Sequence, residues 1–252
     1  MQKYIFIILS FTFMNMNAQS SPVVYGISMD TIKQWVKEKP AYFHALTRKF
    51  KKTDLTDAQT VMLYYGTAFL SSYNPNQAEK EIEIVYELTG NMDFDSGLKT
   101  AETLLKKYPV NARLYMLAAY AAKKTGDEKK SKKYYKKYAD LLRVPLYSGT
   151  GKDYKKAFVV RSTSDEFLIL NQKNMDLLSQ EVRYFDKMPF DVMKLSQTKS
   201  PEKKDELYFN IYLPMFVANH ITYKDKQMEA IRKYKVDPKK YPNSLEKIKK
   251  SK

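Results

Sequence analysis

Residues 78–109, AEKEIEIVYELTGNMDFDSGLKTAETLLKKYP, and residues 112–143, ARLYMLAAYAAKKTGDEKKSKKYYKKYADLLR, are two versions of one helical hairpin. At an offset of 34 residues Ala78 matches Ala112, Tyr86 matches Tyr120, Asp93 matches Asp127 and Lys99 matches Lys133. The small residues Gly97 and Ser131 fall in the same register. In the first copy Ile82, Val85, Tyr86 and Leu88 line one helix, and Phe94, Leu98, Ala101, Leu104 and Leu105 line the next, at helical spacing. In the second copy Leu114, Leu117, Ala118 and Ala122 precede the turn at Gly126-Asp127, and Tyr134, Tyr135, Tyr138, Leu141 and Leu142 follow it. Pro109 closes the first copy, and Pro145 is expected to forbid further helix after the second. A hairpin of this kind cannot bury its apolar face alone, so copies stack and offer a surface to a partner.

A 34-residue period with a central turn is the spacing of tetratricopeptide repeats. With the usual geometry of such repeats, Tyr86, Arg113, Met116, Tyr120 and Lys123 face a shallow groove. They form the candidate partner-binding set, because aromatic and Arg side chains anchor peptides well. The competing reading is plain packing against the neighbouring helix. Lys129, Lys130, Lys132, Lys133, Lys136 and Lys137 fill the rest of the last helix, as a solvated face opposite a buried tyrosine stripe.

Working toward the N-terminus, residues 56–69 start with Thr56 and Gln59 in the spacing of a capping box. Val61, Leu63, Tyr64, Tyr65, Ala68 and Phe69 make that helix apolar on most sides, hence central. Residues 28–38 and 41–51 read as two earlier amphipathic helices, and Asn74-Pro75-Asn76 as a turn. Residues 1–18 have the pattern of a secretory signal peptide: a positive start, an apolar run at 4–14 and a polar stretch ending in Ala18. That run is shorter than the roughly 20 apolar residues a spanning helix needs. Export to the periplasm or beyond is the expectation, with no transmembrane segment after the leader is removed.

After Pro145 the pattern changes. Ser148-Gly149-Thr150-Gly151-Lys152 reads as a flexible turn, and residues 157–161, 166–170, 182–185, 190–195 and 207–213 as short strands. A helix over 174–179 is expected to interrupt them. The fold class is therefore α+β: helical hairpins over 28–145, then a small, mostly antiparallel sheet over 146–214 packed on the last helices. From 224 to 252 the chain reads as a basic, mobile tail.

Several of these segments together resemble the exported bacterial family known as the domain of unknown function numbered 4919. The residues that carry the resemblance are Leu63-Tyr64-Tyr65-Gly66, Tyr73-Asn74-Pro75, Lys107-Tyr108-Pro109, Ser148-Gly149-Thr150-Gly151, Ala157-Phe158-Val159-Val160, Asp165-Glu166-Phe167 and Leu207-Tyr208-Phe209-Asn210. The resemblance spans residues 28–214 and implies a helical repeat region followed by a small sheet. It implies no catalytic residue. Thr150 departs from it, standing where an acid in a Gly-Asp-Gly turn is expected.

Composition limits the chemistry. Without cysteine there is no disulfide, thiol nucleophile or thiolate metal site, and packing must rest on a core to which 21 Tyr, 13 Phe and 12 Met can contribute. With only His44 and His220 as histidines, a His-based triad or zinc cluster lacks material. Gly149-Thr150-Gly151-Lys152 fails as a phosphate loop, because Leu146 and Asp153 occupy the positions that need Gly and Ser or Thr. Asp165 and Glu166, read as strand neighbours, point to opposite faces and cannot act as a hydrolytic pair. No clustered Asp/Asn loop suggests calcium. A net charge of +16 fits either a soluble surface or attraction to anionic polymers and membrane surfaces. The reading is a non-enzymatic, exported scaffold with no cofactor and no specific nucleic-acid site, which binds a protein or peptide in the repeat groove. An electrostatic binder of anionic polymer or membrane surface, and an undetected hydrolase, are the rivals.

Overall fold

Capping side chains set out the front of the chain, whose computed structural model describes residues 21–76, 78–196 and 205–217. A hairpin of β1 (Val23–Val24) and β2 (Ile27–Ser28) leads into α1 (Met29–Glu38), where Ser28 accepts the Thr31 N–H at 3.1 Å. Then come α2 (Pro40–Lys52), opened by a proline that suits a first helical position, and α3 (Asp57–Gly66). Thr56 and Gln59 form the expected capping box before α3, with bonds of 3.3 and 3.2 Å. Val61, Leu63, Tyr64 and Tyr65 are all buried, so α3 is central, as its all-round apolar pattern requires.

The repeats follow as α4 (Glu79–Gly90), α5 (Phe94–Lys107), α6 (Ala112–Lys124) and α7 (Glu128–Leu146). The period holds down to single hydrogen bonds. Asp93 caps α5 by accepting the Ser96 N–H at 3.2 Å, and Asp127 caps α7 by accepting the Lys130 N–H at 2.9 Å. In both turns the aspartate N–H closes back on a carbonyl five residues earlier, Leu88 or Ala122. The residue before each aspartate, Met92 or Gly126, is left-handed, with φ of 63° and 83°. α4 packs on α5, α5 on α6 and α6 on α7, so the hairpins stack side by side.

Beyond α7 lie β3 (Phe158–Val159), α8 (Thr163–Gln172), β4 (Leu177–Phe185), β5 (Met188–Leu195) and β6 (Glu206–Asn210), before a π-helical turn at Leu213–Val217. The sheet order is β3-β6-β5-β4, parallel between β3 and β6 and antiparallel elsewhere. Asp186 and Lys187 join β4 to β5 with φ of 49° and 64°, the left-handed pair of a tight hairpin. One apolar core runs from Val24 through the helices to Phe209 and Leu213. A smaller cluster of Ala157, Met188, Phe190 and Val192 lies apart from it.

Four expectations are corrected. Residues 166–170 belong to α8 rather than a strand: Ser162 caps the helix by accepting the Ser164 N–H at 3.3 Å, and Asp165 and Glu166 fill its first turn. Residues 174–179 are not helical, because left-handed Asn174 follows α8 and β4 begins at Leu177. α7 continues through Pro145 to Leu146; a proline in the last turn costs one bond, and the Pro145 carbonyl still accepts the Ser148 N–H. On α7, Lys137 is only 3 % exposed. Its Nζ donates to the Thr53 carbonyl at 2.6 Å and Asp54 at 3.1 Å, above the Phe50 ring, while Tyr135 is the residue left in solvent. The expected leader at 1–18, His220 and the expected basic, mobile tail at 224–252 lie outside the described residues.

Candidate functional site

A cleft of about 200 Å³ opens where α2 faces three connecting segments. His44 and Thr47 of α2 form one wall, and Tyr73, Asn74 and Pro75 after α3 another. The link from α5 to α6, through Lys107, Tyr108 and Pro109, forms the third, and Arg161 to Asp165 at the start of α8 the fourth.

Arg161 ties the last three of these walls together. Its Nη2 donates to the Val110 carbonyl, its own carbonyl accepts the Tyr73 hydroxyl, and its guanidinium lies 5.4 Å from the centre of the Tyr64 ring. Beside it, the Ser162 hydroxyl donates to the Pro75 carbonyl at 2.8 Å. The Tyr64 hydroxyl donates to Asp165 Oδ2 at 2.6 Å and accepts the Arg161 N–H at 3.1 Å. Burial pushes the Asp165 carboxyl above its ordinary range; the Arg161 charge and the Tyr64 hydrogen bond hold it back. Burial likewise raises the Tyr64 and Tyr73 hydroxyls, so both stay protonated donors. Arg161 Nε is buried without an acceptor among the described residues. The hydroxyls of Tyr64, Tyr73 and Ser162 are thus engaged within the walls, and the fixed Arg161 cation is the group suited to a ligand rich in carbonyl or carboxylate oxygen.

Removing the Tyr64 hydroxyl alone tests this network. Tyr64→Phe should cost about 1–2 kcal/mol in urea unfolding, because Asp165 and the Arg161 N–H lose a partner out of reach of water.

The cleft walls come from the very segments that carry the family resemblance: Tyr73-Asn74-Pro75, Lys107-Tyr108-Pro109 and Asp165, with Tyr64 beneath. Residues 30–220 match the profile of the Domain of unknown function (DUF4919). The chain belongs to the DUF4919 family. No curated protein and no solved structure matches it.

In this DUF4919 chain three of the five groove residues named above, Tyr86, Arg113 and Tyr120, enter two separate contacts. Arg113 lies 4.6 Å from the centre of the Tyr86 ring, its Nε donates to the Tyr86 hydroxyl at 3.1 Å, and it pairs with Glu83 at 3.5 Å. Tyr86 and Arg113 therefore satisfy each other. Tyr120 packs edge-on against Phe94 at 5.9 Å and remains exposed, as does Lys123, while Met116 is half-buried.

The carboxylates are arranged differently from the strand-neighbour reading. Glu166 is 0 % exposed and faces Asp191 of β5, out of contact with solvent and away from the cleft lining. Asp165 alone reaches the cleft, held by Tyr64. Among the described residues no group of His, Asp and Glu could hold a metal ion. In the sequence neither Arg161 nor Tyr64 carries a site signal of its own; Tyr64 lies in one of the resembling segments, and Arg161 falls between two of them.

Proposed function

We propose that this protein is an exported, non-enzymatic scaffold that holds a peptide segment of a partner protein. The observation that carries this reading is the polar cleft, three of whose walls are stitched through Arg161, so that the hairpin stack and α8 present one fixed surface. A carboxyl terminus or acidic side chain of a peptide would suit the cations Arg161 and Lys107 of the cleft lining. Tyr120 and Lys123, with the Tyr86–Arg113 pair and Met116 beside them on α4 and α6, form a second contact for a longer partner. Among the described residues no helix is long and apolar enough to cross a membrane. The reading of residues 1–18 as a leader supports export. The rival electrostatic reading is weaker on α7, where Lys130 pairs with Glu102 at 3.0 Å and Lys136 with Asp140 at 2.9 Å.

Peptide display against the purified chain tests the proposal. Selected peptides should bind wild type and lose at least about tenfold in affinity, about 1.4 kcal/mol, on Arg161→Ala. The same loss should follow Ser72→Trp, which fills the cleft mouth and leaves the Arg161 bonds in place. Tyr120→Ala and Arg113→Ala should weaken longer peptides without much lowering the melting temperature. Peptides that bind both cleft variants as tightly as wild type would remove the cleft from the account.

A further inference from the structure

Strand β4 ends the sheet with β5 as its sole strand neighbour among the described residues. It is 9 residues long. Edge strands are ordinarily short, bulged or covered, because their outer N–H and C=O groups invite another strand. The register shift of β4 falls near its start, between Leu177 and Ser179; from there to Phe185 the pairing is regular. Leu178, Val182 and Tyr184 are 72, 49 and 59 % exposed. Val182 stands opposite Asp191 and Tyr184 opposite Pro189, so both lie on one face of the sheet. The β5 residues of that face are buried, while the β4 residues beside them remain open.

The order of charges along β4 identifies what fits. Glu181 and Arg183 flank Val182 and lie on the other face, where Arg183 bonds both Glu181 and Glu206. We propose that β4 pairs antiparallel with β4 of a second copy of this chain, about a two-fold axis through Val182, to make one continuous eight-stranded sheet. In that register Glu181 stands opposite Arg183 of the second copy, and symmetry repeats the match. Gln180 then faces Tyr184, and the two Val182 side chains meet on the axis between the two tyrosines. An axis through Glu181 would set two glutamates face to face, and one through Arg183 two arginines, each unfavourable for directly opposed residues. A Lys-rich strand, such as the chain after residue 224 could supply, would bring lysine toward Arg183 and is a poorer occupant. One strand edge buries less than the roughly 1,200 Å² of a stable interface, so the dimer is reversible.

Sedimentation velocity of the full chain over roughly a hundredfold concentration range reads this directly, since association follows mass action. Wild type should move from monomer toward dimer. Val182→Lys and Val182→Glu should each weaken association at least about tenfold, because like charges meet on the axis. Their melting temperatures should stay near wild type, since Val182 is half-exposed. An equimolar mixture of the two variants should recover the dimer, as lysine then meets glutamate. A wild type that stays monomeric overturns the proposal, and so does a dimer that survives Val182→Lys or a mixture that fails to reassociate. Association that is lost on deleting residues 218–252, with Val182 intact, would assign it to the tail instead.

Discussion

Replacing Glu166 by glutamine should stabilise the protein by about 2–3 kcal/mol near pH 8, because the folded carboxyl must keep a proton that the unfolded chain has already released, and an amide needs none. Among the described residues no other group donates to Glu166 or to Asp191 Oδ1, so only a proton held between the two carboxyls can satisfy them; Asp191 Oδ2 accepts Gln180 Nε2 at 2.7 Å. Burial pushes the Glu166 carboxyl well above its ordinary value of 4.5, and the adjacent Asp191 pushes it further. Burial raises Asp191 as well, with Gln180 and Glu166 pulling it back. Two carboxyls this close, both out of water, share a proton. The sign follows from linkage. Below the unfolded value both states hold the proton, and the pair's contribution is complete. As pH rises above about 4.5, the unfolded chain releases a proton that the folded chain keeps, so stability falls until the folded value is passed. Asp165, also raised by burial, adds to the same slope. Thermal melts from about pH 5 to about pH 9 should show wild type losing stability as pH rises. Glu166→Gln should flatten that loss, since its amide gives Asp191 Oδ1 a permanent donor. A glutamine variant that melts below wild type across the range would show the pair ionised and balanced by a cation.

The hairpins were legible because their signals are local. Asp93 and Asp127 sit at turns and cap the helices that follow, so a repeat of one residue is a repeat of one hydrogen bond. α8 was not legible, for a reason found in its surroundings. It contacts α6 and α7, and its Glu166 faces β5, so Asp165, Glu166, Leu168, Ile169 and Leu170 are all buried and no polar stripe marks a helical period. Its apolar run resembles a strand for the same reason. Lys137 misleads in the opposite way, as a charge on a polar face that turns inward to cap the Thr53 carbonyl. The cleft was half legible. Tyr73-Asn74-Pro75 and Lys107-Tyr108-Pro109 stood out as segments, yet only tertiary contacts with Arg161, far along the chain, bring them together.

Gly149→Ala should cost about 3 kcal/mol, the upper end for overpacking, because the added carbon meets backbone rather than a movable side chain. A Cβ at Gly149 would overlap the carbonyl oxygens of Lys156 and Ala157. The stretch read from sequence as a flexible turn is instead the joint between α7 and the sheet. Ser148 Oγ donates to the Pro145 carbonyl at 2.7 Å and accepts the Val159 N–H at 2.8 Å. The Thr150 and Gly151 N–H groups both donate to the Lys156 carbonyl, at 2.8 and 2.7 Å, and the Gly151 carbonyl accepts the Tyr208 N–H at 3.0 Å. Thr150 contributes a backbone N–H here, which explains how this turn forms without the acid that the family resemblance leads one to expect. Pushing Lys156 and Ala157 away would break this joint and shift β3 from β6, so the cost spreads into the core beneath Phe158 and Phe209. Gly90→Ala is the matched control, since nothing lies within 4 Å of its added carbon at the end of α4. That change should be neutral or stabilising by under about 1 kcal/mol in the same urea titration. Equal effects of the two substitutions would mean that the joint yields, and that the sheet is held to the helices by core packing alone.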